Sequence, residues 1–323
     1  MNKLLELLEC LTNEHVIVQM HNYPDQDALA SAMGLKVLLE AKGKKVTIGY
    51  EGIIDKENTL KMIELLEIEI YPRAELRLTK EDEIIIVDGQ RGNINMANFV
   101  GKEVACIDHH QTRKLEEYKF CDIRSDVGAC ASIIASYFVE NELEMSQDVA
   151  TALLYGIKMD THNMTRGVSQ LDLQMFTYLF ERANHDKLKI FENYCLKLSD
   201  LEAYRTAINT LRLENGVGMA SVGSDCPEAV MASVSDFLLT LSNVKVSLVH
   251  SYRAGGIKFS VRTELEQVDV SVLIRKALEG MGDGGGHADM AAGFIPEVSE
   301  RQTAESYVAE VEQRMSRMIC EVA

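Results

Sequence analysis

The sequence predicts an α/β protein of two domains: an N-terminal domain with a mostly parallel sheet flanked by helices, and a smaller C-terminal α+β domain. Three observations carry the prediction. Short apolar runs of strand length alternate with helical patterns through the N-terminal half, the signature of a parallel sheet. The last third changes to strands, two of them joined by a tight turn. The chain has 323 residues, more than one hydrophobic core ordinarily serves.

Leucines at helical spacing mark an opening helix over about residues 2–12. HVIVQM (15–20) is a strand that Pro24 and the acids beyond it bring to a stop. ALASAMGLKVLLEA (28–41) reads as a helix with Gly43 as its stop signal. KKVTIGY (44–50), IIIVDG (84–89) and VACIDHH (104–110) are further strands. ACASIIASYFVE (129–140) and QDVATALLYGIKM (147–159) read as buried or amphipathic helices. Beyond them, VGMASVG (217–223), VKVSLVHSY (244–252) and GIKFSVRT (256–263) read as strands, the last two joined at Arg253, Ala254 and Gly255. A helix over 268–281, a glycine cluster and a final helix near 302–321 complete the chain. The expected division is residues 1–190, a helical connection over 191–212, and residues 213–323.

Composition bounds the function. A net charge of −17 argues against a long nucleic acid or duplex partner, which needs a basic track. It leaves room for a short anionic substrate if bound divalent cations supply the local positive charge. The seven cysteines (Cys10, Cys106, Cys121, Cys130, Cys195, Cys226 and Cys320) form no CxxC pair, which predicts reduced, mostly buried thiols and a cytoplasmic protein. The start lacks the uninterrupted apolar core of a signal peptide. No run approaches the ~18 apolar residues of a membrane span, so no membrane partner is expected.

Three strand ends concentrate acids and imidazoles: His21, Asp25 and Asp27 after the first, Asp88 after another, and Asp108, His109 and His110 after a third. Asp160 ends the helical run YGIKMD. Parallel α/β sheets gather ligands outside the carboxyl ends of their strands, so these residues converge if the strands are neighbours. A lone strand-end Asp is ordinarily a helix cap or turn former; the set together is not explained that way. Carboxylates and imidazoles without thiolates suit Mn²⁺, Mg²⁺, Fe²⁺ or Zn²⁺ and not a cysteine-rich structural zinc site. The four carboxylates of Asp25, Asp27, Asp88 and Asp160 would repel one another unless cations intervened, and two divalent ions balance them. Two such ions, about 3.5–4 Å apart, activate a bridging water and clamp phosphoryl oxygens.

At these residues the sequence resembles the DHH phosphoesterase family. HNYPDQDALAS is similar to its first motif, VDG to its second, IDHH to its third and YGIKMDT to its fourth. GDGGGHADMAAGF (282–294) resembles the GGGH motif of the associated DHHA1 domain. The resemblance implies that His21 and Asp25 bind one Mn²⁺, that Asp27, His109 and Asp160 bind a second, and that Asp88 bridges both; Mg²⁺ or Co²⁺ could substitute. It implies that Asp108 orients the site and that His110 faces the phosphate as donor or general acid.

Gly284, Gly285 and Gly286 would let backbone amides approach an anion, with His287 and Arg262 as further phosphate contacts. The domains would face each other across a substrate cleft. Size and domain order favour the compact nanoRNase (oligoribonuclease) subgroup, which includes 3′-phosphoadenosine 5′-phosphate (PAP) phosphatases; RecJ-like extra domains, a pyrophosphatase-type C-terminal motif and N-terminal sensory segments are not seen. The expected activity is Mn²⁺-dependent hydrolysis of short oligonucleotides, dinucleotides or nucleotide bisphosphates. The alternatives are a nucleotide-binding or sensing protein with weak catalysis, or a phosphatase of another small phosphoester. Gln26 and the segment His162–Gly167 depart from the family pattern, with Arg166 a further candidate phosphate contact. No motif specifies assembly, so homodimerisation is left open.

Overall fold

Runs of branched apolar residues become the strands of the first sheet. The computed structural model describes residues 2–93, 95–111, 118–193, 196–298 and 300–322; Cys195 lies outside them. Strands β1 (His15–Gln19), β2 (Lys45–Tyr50), β3 (Tyr71–Pro72), β4 (Glu83–Val87), β5 (Lys102–Asp108) and β6 (Phe120–Ile123) are all parallel, in the order β3-β2-β1-β4-β5-β6. Every residue of β4 is buried, which is why it reads as an unbroken apolar run without alternation. Val16, Val18, Ile85 and Val87 point to the helical layer. Ile17, Ile84 and Ile86 point to the other face, where Leu76, Leu78, Met96 and Phe99 cover them.

The chain runs outward from β1 through β2 to β3, then returns to place β4 on the other side of β1. That reversal makes the carboxyl ends of β1 and β4 a topological switch point, where open α/β sheets bind ligands.

Helices α1 (Lys3–Cys10), α2 (Gln26–Glu40), α3 (Glu57–Leu65), α4 (Cys130–Glu140), α5 (Gln147–Asp160), α6 (Gln170–Phe180) and α7 (His185–Asn193) complete this unit. Helix α2 is buried around most of its girth because it lies between the sheet and α4 and α5. Its small residues Ala28, Ala30, Ala32 and Gly34 let those helices approach. Gly156 on α5 makes the matching gap: a Cβ there would meet Ala30 Cβ at 3.0 Å, Asp27 Oδ1 at 3.0 Å and Ala131 Cβ at 3.2 Å.

The chain divides into two compact units, Met1–Cys195 and Leu196–Ala323. The second unit has a mixed sheet of β7 (Arg212–Glu214), β8 (Val217–Ser224), β9 (Val246–Arg253), β10 (Gly256–Thr263), β11 (Asp283–Gly286) and β12 (Met290–Pro296). Its order is β11-β12-β10-β9-β8-β7, and only β8 and β9 pair in parallel. Helices α8 (Leu201–Thr210) and α9 (Glu228–Leu239) pack on the side carrying Ala220, Val222 and Val249. Helices α10 (Val270–Ala277) and α11 (Arg301–Val322) belong to the core on the side of Val246, Leu248 and Phe259.

Several expectations are revised. The helix read as an inter-domain connection, α8, is a packed element of the second unit, with Ala203 and Ala207 buried against its sheet. The glycine cluster, given no element in the sequence reading, forms a strand, since β11 pairs along β12 through backbone groups that need no side chain. Of the six described cysteines, Cys106, Cys130 and Cys226 are buried but Cys121 and Cys320 are exposed. Among the described residues no helix is long and apolar enough to cross a membrane.

Gly156 couples packing to the strand-end acids. Substituting Gly156→Val should destabilise the protein by about 1–3 kcal/mol through overpacking, read as a lowered urea midpoint with an unchanged slope.

Candidate metal centre

Three adjacent parallel strands deliver the acids and imidazoles to one edge. His21 lies just past β1, Asp88 directly follows β4, and Asp108 ends β5 with His109 and His110 beyond it. Asp160 ends α5.

Two of the carboxylates are fixed by backbone donors. Asp25 caps α2, its Oδ1 accepting from Asp27 N at 3.0 Å and Ala28 N at 3.1 Å. Asp27 is 1% exposed and accepts from Cys130 N at 2.7 Å and Ala131 N at 2.9 Å. It thereby supplies the anion at the start of α4, whose own N-cap, Ala129, has no side-chain acceptor. Asp88 adopts a left-handed backbone, φ 56°, and its N–H donates to Ile107 O at 3.0 Å.

The imidazoles are oriented by carbonyls. His21 Nδ1 donates to Asn22 O at 2.9 Å and His109 Nδ1 to Val127 O at 3.2 Å. A carbonyl can only accept, so each Nδ1 carries the proton and each Nε2 is turned toward the carboxylates. His21 Nε2 lies 3.8 Å from Asp25 Oδ1 and 3.6 Å from Asp88 Oδ2. His109 Nε2 lies 3.1 Å from Asp160 Oδ2, 3.4 Å from Asp88 Oδ1 and 4.0 Å from Asp27 Oδ2.

The candidate ligand atoms of His21, Asp25 and Asp88 fall within 4.8 Å of one another, as do those of Asp27, His109 and Asp160. A cation with bonds of about 2.1 Å holds neighbouring octahedral ligands about 3 Å apart, so sets this tight suit one ion each. Two atoms test the fit: His109 Nε2 and Asp88 Oδ1 are buried with no hydrogen-bond partner. Buried polar atoms are rarely left so, and a cation bound between them would satisfy both. All donors are nitrogen or oxygen, the set preferred by Mn²⁺ and similar ions.

The electrostatics agree. Burial raises the pKa of Asp27 well above the carboxylate range, and the charges of Asp88 and Asp160 push it further. Burial opposes charge on His109, but the carboxylates of Asp160 and Asp88 outweigh it and push this imidazole up to about 12. His21 is raised in the same way, against burial, by Asp25 and Asp88. Asp88 is held low despite its burial, by His109 and His21. Without metal, a raised proton affinity at the imidazoles and at Asp27 eases the crowding of negative charge.

Asp108 is fully buried and touches the rest of the site through hydrogen bonds. Its Oδ1 accepts from His109 N and from His110 Nδ1, both at 2.8 Å, and Oδ2 accepts from Gln90 Nε2 at 2.7 Å. This fixes His110, which is partly exposed and stacks obliquely on His109 with ring centroids 4.4 Å apart. Gln90 also donates to His110 O at 3.1 Å. The sequence reading missed Gln90, whose only signal is its place two residues after Asp88. Gln26 is buried and donates to Thr59 Oγ1 at 2.8 Å, tying the first turn of α2 to α3.

After Asp160 the backbone takes three successive left-handed residues, His162, Asn163 and Met164, with φ 46°, 55° and 65°. The fully buried Thr161 organises this turn, accepting from Met164 N at 3.1 Å. Arg166 folds back so that Nη2 donates to Asp160 O at 3.3 Å, which sets a cation beside the acid cluster.

In the second unit, Arg262, a candidate phosphate contact, is ion-paired with Asp236 at 3.3 Å and donates to Val261 O at 2.9 Å. Arg262 faces Met290 across β10 and β12, and Gly286 faces Ala291 across β11 and β12, placing them two strands apart. Gly284 and Gly286 are required by close packing: a Cβ would meet Ala292 O at 2.9 Å and Met290 O at 2.4 Å respectively. Gly285 has more room, its nearest neighbour being Arg275 Nη2 at 3.5 Å. His287 is exposed, and its N–H donates to Met290 O at 2.7 Å.

Residues 15–157 match the DHH family, N-terminal domain, and residues 214–317 match the DHHA1 domain. An uncharacterized protein of Methanocaldococcus jannaschii is 31% identical over 282 residues, covering 87% of this chain and 58% of that protein. The cyclic-di-AMP phosphodiesterase GdpP of Geobacillus thermodenitrificans is 26% identical over 332 residues, covering 95% of this chain and 47% of that protein. The chain thus spans about half the length of these relatives. An exopolyphosphatase-related protein from Bacteroides fragilis shares the fold, with a TM-score of 0.78, 15% identity, and coverage of 99% of this chain and 97% of that one.

The raised groups set a pH dependence for metal-free protein. His21 and His109 titrate above the unfolded value of about 6.5, so their stabilisation is full below that pH and is lost as pH rises. Asp27, raised by burial, contributes with the same sign from lower pH. Asp25 and Asp88, lowered by their imidazole partners despite burial, contribute stability that is already full above about pH 4. The Tm of chelator-treated protein should therefore fall between about pH 6.5 and 9, and Mn²⁺ should reverse the fall; scanning fluorimetry reads both.

Proposed function

Because the chain belongs to the DHH family, with that family's N-terminal domain followed by a DHHA1 domain, we propose that it is a cytoplasmic, metal-dependent phosphoesterase that hydrolyses short oligonucleotides, dinucleotides or nucleotide bisphosphates such as PAP. The observation that carries this reading is the convergence of six nitrogen- and oxygen-donor side chains around two buried atoms without hydrogen-bond partners, His109 Nε2 and Asp88 Oδ1.

His21 and Asp25 would hold one ion, Asp27, His109 and Asp160 a second, and Asp88 would reach both through its two oxygens. Bound Mn²⁺, or Mg²⁺ or Co²⁺ in its place, would supply Lewis acidity toward water and phosphoryl oxygens. Asp108 holds Nδ1 of His110, leaving Nε2 to donate to a phosphate oxygen or to protonate the leaving oxygen. Arg166 adds a positive charge at the Asp160 side of the cluster, suited to a second phosphate. Within the second unit, His287 and the glycines Gly284, Gly285 and Gly286 are the candidate phosphate contacts. A net charge of −17 favours small substrates over long strands. The names of the cyclic-di-AMP phosphodiesterases among the relatives bring cyclic dinucleotides into the substrate panel.

With Mn²⁺ and 5′-phosphorylated diadenylate, purified protein should release mononucleotides, seen by chromatography and lost on chelation; PAP and cyclic-di-AMP are assayed in parallel. Asp88→Ala should lose both bound metal, measured by elemental analysis, and turnover. Activity retained with unchanged metal content would reject the assignment. Asp108→Asn should keep the fold while lowering activity or metal affinity about 10- to 100-fold, the range for residues that orient metal ligands.

A further inference from the structure

Tyr23 lies between two residues of the cluster, His21 and Asp25, yet its side chain belongs to neither metal group. Its backbone is left-handed, φ 56°. Bulky residues seldom adopt that conformation, and Pro24 adds its own restriction on the residue before it. The strained position is held from both sides. Tyr23 N donates to Glu51 O at 2.8 Å, Asn22 N donates to Asn95 O at 2.6 Å, and Ala97 N donates to Asn22 Oδ1 at 3.0 Å. The ring lies on Gly52, where an added Cβ would come within 2.7 Å of Cδ1 and 2.8 Å of Cε1, so the seat requires glycine. In spite of this anchoring Tyr23 is 66% exposed.

The placement is informative. Gly52 follows β2 and His21 follows β1, and these strands pair directly. The ring therefore stands at the same edge of the sheet as the acid cluster, about one strand spacing, ~5 Å, toward β2. Strain of this kind persists where the surrounding structure over-determines it, and it concentrates at functional positions. An immobilised aromatic face open to solvent is what a purine or pyrimidine stacks on, whatever its sequence, because every base has a π face.

We propose that Tyr23 is the stacking platform for a nucleobase of the substrate whose phosphate lies at the acid cluster; the proposal rests on the phosphoesterase reading above. It makes Tyr23 a determinant of nucleotide over base-free phosphoesters, with no part in the bond cleavage.

The test uses a 5′-phosphorylated dinucleotide with a phosphorothioate linkage and 2-aminopurine as one base, titrated in Mn²⁺. Stacking quenches the emission of 2-aminopurine, and the chain has no Trp to interfere. Tyr23→Ala should weaken binding roughly 5- to 100-fold and lose the quench. Tyr23→Phe should keep both, and the matching abasic dinucleotide should bind wild type and both variants alike. Unchanged affinity in Tyr23→Ala, an equal loss for the abasic ligand, or binding to wild type without quench, or no binding at all, overturns the stacking role. Binding with quench but no hydrolysis of the ordinary phosphodiester would sink the phosphoesterase reading and leave the stacking role standing.

Discussion

Four carboxylates brought together inside a protein will not stay ionised unaided, and this constraint shapes the first unit. Asp25, Asp27, Asp88 and Asp160 share one edge of the sheet with little or no access to water for Asp27 and Asp88. The fold answers with oriented donors. The start of α2 meets Asp25, the start of α4 meets Asp27, and two imidazoles, each held by a main-chain carbonyl, stand between the acids. What these donors leave uncompensated is the charge that divalent cations would take up. A helix start or a histidine tautomer in this region is therefore an electrostatic device as much as a structural one.

Helix α2 shows how closely packing and chemistry are joined. Its first turn carries Asp25 and Asp27, and its body is a run of small residues that seats α4 and α5. The same crossing puts the α4 amides against Asp27 and brings Gly156 under it. The position of that carboxylate is thus set by helix-to-helix distance, so a change in core volume far from solvent is felt at the acid cluster.

Much of this was legible in the sequence because it is written in side chains. Apolar runs ending in acids located β1, β4 and β5, and the spacing of His21, Asp25 and Asp27 gave one edge of the cluster. Backbone-made features were not legible. The strand β11 is built on glycines, whose lack of a side chain gives no alternation to read, and β6 is only four residues long. The left-handed turn at His162–Met164 depends on the buried Thr161 and not on glycine, so no turn signature announces it. The pairing of Arg262 with Asp236 was not legible because Asp236 lies on α9, remote in sequence. Gln90 escaped notice because an amide that orients a buried acid has no characteristic spacing.

The cluster also draws its members from widely separated stretches of chain. His21 and Asp160 bracket most of the first unit, and the contributing strands β1, β4 and β5 come together only after the chain has reversed direction at the switch point. Closing such non-local contacts is a late event in folding. A nascent or partly opened chain would offer scattered acids and imidazoles of low affinity, and only the completed sheet with α5 docked would offer the paired sites. Metal uptake would then report that this unit has finished folding, and the ion would act as a latch on the finished topology as well as a reagent.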